Sequence, residues 1–492
     1  MKTEIIKLDN FGRGITYIDG VITFVDEALP GEIVKIRITK RTRKYFLAEV
    51  IDYYRLSDDR IEVECEYNDV CGGCNLAHMS VAAELNFKCN KVKEILKKFG
   101  NIRENIVEEI VGDQVFYYRN KVTLHGDGKN LGFYSKGTKK VIRVEKCLLA
   151  PAIVNEIIVL LQEQAIVDKI NEAVIRVSND NSEVMVSLKG DINNYEMLKN
   201  KVDVLEVNGE ILLGEDHIIS TIGEKKYCVS SESFFQINET LTEKLYNEVM
   251  EVTKNNKPKR VLDLYCGTGT IGLYIASLVE KVVGVDSSAS GIKDARDNAK
   301  LNNNDNCSFI CDKVENVIDS FGAFDMVIVD PPRAGLDSKT IEYIKKIKAK
   351  DLMYISCDPV TLGRDLKELQ SDYEVIKVKP YNMFPRSYHV ETVVQLVRKN
   401  PDTYIDITVD MDELDLTTSE AKATYDEIKD YIFDKHRVKV SSLYVAQVKQ
   451  KHGIIERDCY NNSKKDNQKQ PQCPPEKVKL IEEALRHFKM IS

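Results

Sequence analysis

At 492 residues, 43% hydrophobic and 30% charged, with a net charge of −8, the chain is too long for one core and has the composition of an ordinary globular protein. No stretch approaches the roughly 18 apolar residues of a membrane helix, and MKTEIIKLDNFGRG lacks an apolar signal core, so a cytoplasmic protein of roughly two to four domains without a membrane partner is expected. Its 12 cysteines then argue against a disulfide framework and for metal, cluster, redox, catalytic or plain core use.

In chain order, residues 1–57 show short runs of alternating apolar residues punctuated by Gly12, Gly14, Gly20 and Pro30-Gly31. That pattern predicts a small antiparallel β-barrel, of the oligonucleotide-binding (OB-like) kind that often holds RNA. KIRITKRTRK, residues 35–44, carries six Lys or Arg and no acid. It reads either as a phosphate-contacting strip or as an edge strand protected from aggregation.

Residues 58–225 mix strands and helices, a central α+β domain. CEYNDVCGGCNLAH places Cys65, Cys71 and Cys74 in a C-x5-C-x2-C pattern, with a remote fourth candidate, Cys147, in VEKCLLA. Spacing alone leaves zinc and an iron–sulfur cluster both open. The amphipathic run VAAELNFKCNKVKEILKKFG predicts a helix capped by Gly100, and a second helix is expected near 151–164.

Over 226–400, strands alternate with helices, the pattern of a doubly wound parallel sheet. In RVLDLYCGTGTIGLYIA (260–276), a strand reaches Asp263, a loop follows with Gly267 and Gly269, and a helix opens at Thr270. Glycine there lets a ligand approach the backbone at a helix amino terminus. The next strand, KVVGVD, ends in Asp286, placed to accept hydrogen bonds from a ribose. The D-x-x-x-G-x-G form favours a class I S-adenosylmethionine (SAM) methyltransferase over a dinucleotide enzyme. A third strand leads into Asp330-Pro331-Pro332, and a fourth ends at Cys357 in YISCDPVTLGRD.

Further on, YHVETVVQLV sets Glu391 just inside a strand, with His389 before it. Strand ends at the carboxyl edge of such a sheet face the ligand crevice. Carbon-5 of uracil is too weak a nucleophile to take a methyl group unaided. A thiolate adding at carbon-6 makes the ring an enolate, and a base must later remove the carbon-5 proton. A cysteine and a carboxylate beside one SAM pocket suit those roles.

The chain resembles the RNA uridine-5-methyltransferase family, in its 23S ribosomal RNA branch. SFFQIN (233–238), DLYCGTGT, DPPRAG, ISCDPVTLGRD and HVET stand in that family's order, and the resemblance covers about residues 1–400. It implies an amino-terminal TRAM barrel, a middle domain holding a 4Fe–4S cluster on Cys65, Cys71, Cys74 and Cys147, and a Rossmann-like SAM domain. It implies Cys357 as nucleophile, Glu391 as base, and Gln236, Tyr265, Gly267, Asp286 and Asp330 around SAM or substrate. A monomer methylating 23S ribosomal RNA is expected, with the T-loop uridine of tRNA as the alternative. Phe234 and Phe235 are candidates for base stacking or for the core.

Residues 401–492 lie beyond that family's usual end. They read as two helices over 419–456, a polar Pro-rich stretch and a short helix over 477–489. Lys435, Arg437, Lys439, Lys449 and Lys451 suggest an accessory RNA-binding face, a packing appendage being the alternative. Cys89, Cys228, Cys307 and Cys311 read as packing, Cys266 as a small residue beside the glycine loop, and Cys459 and Cys473 as tail residues without a supported site.

Overall fold

The computed structural model describes residues 1–162, 169–192, 195–317, 321–399, 425–436, 438, 440–452, 473–488 and 490–491; Arg437, Lys439 and Cys459 lie outside them. The chain divides into two compact units, Met1–Asp402 and Thr403–Ser492.

Six strands between Lys2 and Arg55 build the first sheet. Strand Ile33–Arg41 alternates buried Val34 and Ile36 with exposed Lys35 and Arg37, so its apolar face closes the small core and its basic face meets solvent. One pairing departs from the antiparallel expectation: Val21–Asp26 runs parallel to Phe46–Arg55. The intervening strand Ile33–Arg41 runs antiparallel to Phe46–Arg55 and reverses the chain before it returns beside Val21–Asp26.

The central sheet has seven strands in the spatial order Glu210–Leu213, Val204–Val207, Val184–Gly190, Ile170–Val177, Lys121–Gly126, Leu131–Tyr134, Val141–Arg143. Helix Ala152–Leu161 lays Val154, Ile157, Ile158 and Leu161 into its core, the spacing of one helical face. The hairpin His217–Ile222/Lys225–Ser230 spans the expected boundary at 225/226. Its Ile218, Ile222, Tyr227 and Val229 share a core with helix Glu239–Asn256 and with the third sheet.

Helix Val81–Gly100 begins at Ser80, whose side chain accepts from the Ala83 amide, and ends at Asn101, whose φ is 52°. The left-handed cap is therefore Asn101, not Gly100; its short polar side chain tolerates that conformation. Inside this helix Lys88 is fully buried. Its Nζ donates to Glu84 Oε1 (2.8 Å), Asn382 Oδ1 (2.5 Å) and the Phe384 carbonyl (3.0 Å). The same Glu84 oxygen accepts from the Arg386 amide at 3.0 Å, so one buried ion pair fastens the helix to the segment leading into Glu391. Removing one partner strands the other in a dry interior. Lys88→Met is expected to cost about 3–5 kcal/mol, read as a lowered urea midpoint.

The third sheet carries strands β1 (Arg260–Leu264), β2 (Lys281–Asp286), β3 (Cys307–Cys311), β4 (Met326–Val329), β5 (Asp351–Ser356), β6 (Tyr373–Tyr381) and β7 (Glu391–Arg398) in the order 3-2-1-4-5-7-6. β1 to β5 pair parallel, while β7 lies antiparallel between β5 and β6. The strands before Asp330 and Cys357 are thus the fourth and fifth; Cys307–Cys311, short and half-exposed, is the strand missing from the sequence count. β1, β4 and β5 are apolar almost throughout and buried, as a sheet covered on both faces requires.

In the second unit, helices Tyr425–His436, Ser442–Lys451 and Pro475–His487 enclose Ile428, Ile432, Val445, Val448, Ile481 and Leu485. Lys435 pairs with Glu483 (2.8 Å) and Lys451 with Glu482 (3.4 Å), and Lys449 is buried. Three of the five cations suggested as an RNA-binding face are therefore engaged within the unit itself.

Candidate active site

After β1 the backbone turns through three left-handed residues, Tyr265 (φ 63°), Gly267 (φ 53°) and Gly269 (φ 76°), before the helix that opens at Thr270. Two acids brace the turn. Asp263 Oδ2 accepts from the Gly272 amide at 3.0 Å, and Asp286 accepts from Gly267 (Oδ2, 3.0 Å) and Ser288 (Oδ1, 2.8 Å). Burial pushes the Asp263 carboxyl up to about 8. Tyr265 leans away from the turn, its hydroxyl 3.5 Å from Asp337 Oδ2 and from Thr340 Oγ1.

The two glycines differ. A Cβ on Gly269 would lie 2.8 Å from the Phe309 ring, whereas one on Gly267 would meet nothing within 4 Å. Gly267 therefore faces open space at the carboxyl edge. Gly267→Ala is expected to cost the fold only the left-handed strain of about 1–2 kcal/mol. The added methyl would fill the space beside the loop, so SAM affinity, measured by equilibrium dialysis, should fall at least about tenfold.

β4 and β5 bring their carboxyl ends to the same edge, so Asp330 and Cys357 stand there together. β7 enters from that edge in the opposite sense. The pairings Ser356↔Thr392 and Tyr381↔Glu391 fix the register up to the end of β5, so Cys357, the next residue, reaches the edge at which β7 begins with Glu391, whose charge acts on its thiol. Asp358 then caps the following helix, its Oδ1 accepting from Val360 (2.8 Å) and Thr361 (3.3 Å), with Pro359 in the first turn. The turn after β5 is thereby held rigid with the thiol at its bend.

The electrostatics place these groups in one pocket. Burial, then the Glu391 and Asp330 charges, push the Cys357 thiol up to about 12, while Arg333 opposes them. Burial and the Asp330 charge push Glu391 up to about 8, again against Arg333. Asp330 itself is raised to about 7, first by burial and then by Asp286. Three acidic groups share one dry site, with Arg333 opposing the shifts of Cys357 and Glu391, the arrangement in which each resists losing its proton. Arg333 was not assigned to the site from sequence, although it follows Pro332 directly. Its guanidinium lies 3.4 Å from His389 Nε2, so His389 touches Arg333 and is kept neutral by burial and that charge.

Gln236 is buried in the loop between strand Lys225–Ser230 and helix Glu239–Asn256. The central sheet holds this loop. Arg176 Nη2 donates to the Ser233 carbonyl (2.7 Å) and Asn120 Nδ2 to the Gln236 carbonyl (3.2 Å). Neither residue belongs to a recognisable motif. The two phenylalanines separate: Phe235 is 4% exposed and packs 5.9 Å from the Tyr227 ring, whereas Phe234 is 66% exposed.

A second group forms away from this edge. Cys65, Cys71, Cys74 and Cys147 all line one cavity of about 770 Å³, together with Arg119, Lys146 and Arg386. The Gly73 amide donates to the Cys71 sulfur at 3.4 Å. Burial, and then the three other thiols, push Cys74 up to about 12. Among the described residues, no three Cys, His, Asp or Glu side chains close to the spacing of a single metal ion; the four sulfurs stand around the cavity wall. Cys89, Cys228 and Cys266 are buried, as expected of packing residues, but Cys311 is exposed at the sheet edge.

A 3-2-1-4-5-7-6 sheet with a glycine turn after β1 and acids along its carboxyl edge defines a Rossmann-like SAM methyltransferase. The chain belongs to the RNA uracil-5-methyltransferase family: residues 80–399 match the family described as tRNA (Uracil-5-)-methyltransferase, and residues 4–51 match the TRAM domain. It is 35% identical over 437 residues to an uncharacterized RNA methyltransferase of Clostridium acetobutylicum, covering 79% of this chain and 95% of that one. It is 31% identical over 444 residues to another of Staphylococcus epidermidis, covering 81% and 97%. Among solved structures it is similar to the Pyrococcus abyssi tRNA (uracil-54, C5)-methyltransferase in complex with S-adenosyl-L-homocysteine. There the TM-score is 0.67 at 28% identity, covering 81% of this chain and 100% of that chain. No helix among the described residues is long and apolar enough to cross a membrane.

Proposed function

We propose that the protein methylates carbon-5 of a uridine in 23S ribosomal RNA, with Cys357 as nucleophile and Glu391 as base. The observation that carries this reading is the β5–β7 pairing, which ends at Ser356↔Thr392 and so leaves Cys357 and Glu391 at the edge where the glycine loop opens. The Cys357 thiolate adds to carbon-6 of the uracil, and carbon-5 of the resulting enolate displaces the SAM methyl, releasing S-adenosylhomocysteine. Glu391 then takes the carbon-5 proton, the C5=C6 bond re-forms, and the sulfur leaves as thiolate.

Asp286 is assigned to the SAM ribose; each of its oxygens accepts one backbone amide and keeps a lone pair for a hydroxyl. Gln236, Asp330 and the exposed Phe234 are assigned to the uracil and its neighbours, and Tyr265 to the wall of the SAM site. Flipping the uridine out of its stack would bring it to this edge.

The tRNA T-loop is the second reading, favoured by the similarity to an enzyme named for uracil-54 of tRNA. Mapping 5-methyluridine by mass spectrometry in RNA from cells with and without the protein, and assaying the purified protein on each RNA, decides between them. Loss of the mark from neither RNA would sink both readings.

The cavity lined by Cys65, Cys71, Cys74 and Cys147 is assigned to a 4Fe–4S cluster. Four thiols around one wall, with Arg119, Lys146 and Arg386 to offset thiolate charge, are the donor set such a cluster takes. Bound there, it would cross-link the segment 65–74 to Cys147. Brown protein with broad visible absorbance is expected on anaerobic purification; colourless protein rich in zinc would overturn the assignment.

A further inference from the structure

The loop between strand Lys225–Ser230 and helix Glu239–Asn256 carries Phe234 and Gln236 but has no helix or strand of its own. Its backbone is held instead by donors of the central sheet. Lys121 Nζ donates to the Ser231 carbonyl (3.4 Å), Arg176 Nη2 to Ser233 (2.7 Å), and Asn120 Nδ2 to Gln236 (3.2 Å). The Asn120 amide donates to Ile237 (3.2 Å). From the opposite side, Asp294 of helix Ala289–Leu301 accepts from the Ser230 amide (3.0 Å) and hydroxyl (2.8 Å).

Arg176 is the odd member of this set. It is 2% exposed, and its Nε and Nη1 have no partner within the protein. The charge that acts on it is Asp294, whose Oδ2 is taken by Ser230. Strand pairing also sets Arg176 directly opposite Lys121, and like charges in that position weaken a sheet. Burial, and then the Arg176 charge, push the Lys121 ammonium down to about 8.

Such a residue does little for the fold. Taking a cation out of water without a contacting carboxylate is costly, and an apolar side chain of similar size often serves a protein interior as well or better. What the guanidinium does supply is a fixed place for one carbonyl. Ser233 is itself buried, and because a peptide unit is planar, holding its carbonyl sets the direction in which the chain enters Phe234.

We propose that Arg176 is a positioning residue for methyl transfer: by holding the Ser233 carbonyl it aims Phe234 and Gln236 at the flipped uridine, while touching neither RNA nor SAM. This rests on the reading of the loop as the one that faces uracil.

The test uses the full-length protein with Arg176→Met and Arg176→Lys, assayed on RNA with SAM saturating. Misplacing a substrate-facing group costs rate even when the change is remote, so Arg176→Met should lower kcat/KM for RNA at least about tenfold. SAM affinity should stay within about twofold of wild type, because the glycine loop is braced by other residues. Losing one hydrogen bond while relieving a buried charge should leave the melting temperature within about 5 °C of wild type. Arg176→Lys keeps one donor on a shorter reach, and should fall between, about two- to tenfold below wild type. Hydrogen exchange by mass spectrometry should be faster over residues 231–238 in Arg176→Met and unchanged over 263–272.

A smaller loss than that in an Arg176→Met protein that binds SAM normally would overturn the proposal. If that variant fails to fold, Arg176→Lys decides, and a kcat/KM equal to wild type refutes it. Wild-type protein that methylates no RNA, with the exchange difference still present, would keep the contact and remove the enzymatic reading on which its purpose rests.

Discussion

Cys357→Ala is expected to bind SAM with unchanged affinity and to lose more than about 10⁴-fold in methyl transfer, the scale on which a covalent catalyst fails when its nucleophile is removed. The residue stands at the end of β5, across the sheet edge from the glycine loop, and makes none of the hydrogen bonds that brace that loop. Its thiol is held up to about 12 by burial and by the Glu391 and Asp330 charges, so the empty enzyme keeps it protonated at neutral pH. A cation beside a thiol favours the thiolate, so SAM, whose sulfonium is positive, is expected to ease ionisation of Cys357 once it is bound. Cys357→Ser keeps the shape but replaces the thiol with a far weaker acid, and should be as inactive as the alanine variant. Isothermal titration with SAM and a tritium-transfer assay on RNA measure the two halves. Methyl transfer by Cys357→Ala within tenfold of wild type would remove the covalent mechanism.

Much of the Rossmann-like sheet was legible because its strands are apolar runs broken by glycine and proline turns, and chemistry-bearing residues recur where those runs stop. Asp286, Asp330, Cys357 and Glu391 were all visible as residues at strand ends. Cys307–Cys311 was harder to count, since CSFIC is short and polar at alternate places. The position of β7 was not legible at all. Its insertion between β5 and β6 is a long-range pairing, and only that pairing turns Cys357 and Glu391 into neighbours. Arg333, Asn120 and Arg176 escaped for a related reason. A lone cation or amide has no periodicity, and its role depends on which carbonyl or carboxylate the fold brings to it. The buried ion pair of Lys88 with Glu84 carried a signal, an i,i+4 pair. On sequence alone, however, such a pair reads as solvent-exposed.

Glu391→Gln is expected to stop the reaction after methyl transfer and leave RNA attached to Cys357. The amide keeps the size and position of the carboxylate, so uracil and SAM should still bind and the sulfur should still add. What is lost is the acceptor for the carbon-5 proton, and without it the C6–S bond cannot break. Turnover should fall by about 10²–10⁴-fold, while a protein–RNA adduct that survives denaturing gel electrophoresis accumulates in step with one methyl group per enzyme. Free methylated RNA at the wild-type rate, with no adduct, would show that another group takes the proton. The wild-type pH profile carries the same signature. Burial and the Asp330 charge push Glu391 up to about 8, so the base is mostly protonated at neutral pH and the rate of adduct resolution should rise as pH climbs through about 8. Stability runs the other way. The folded state holds this proton more tightly than the unfolded chain, whose glutamate titrates at its ordinary 4.5, so each step up in pH between about 4.5 and 8 costs the fold free energy. Glutamine has no proton to lose there. The melting temperature of Glu391→Gln relative to wild type should therefore increase from about pH 5 to about pH 9, and a difference that stayed flat across that range would mean that Glu391 is not held protonated by its surroundings.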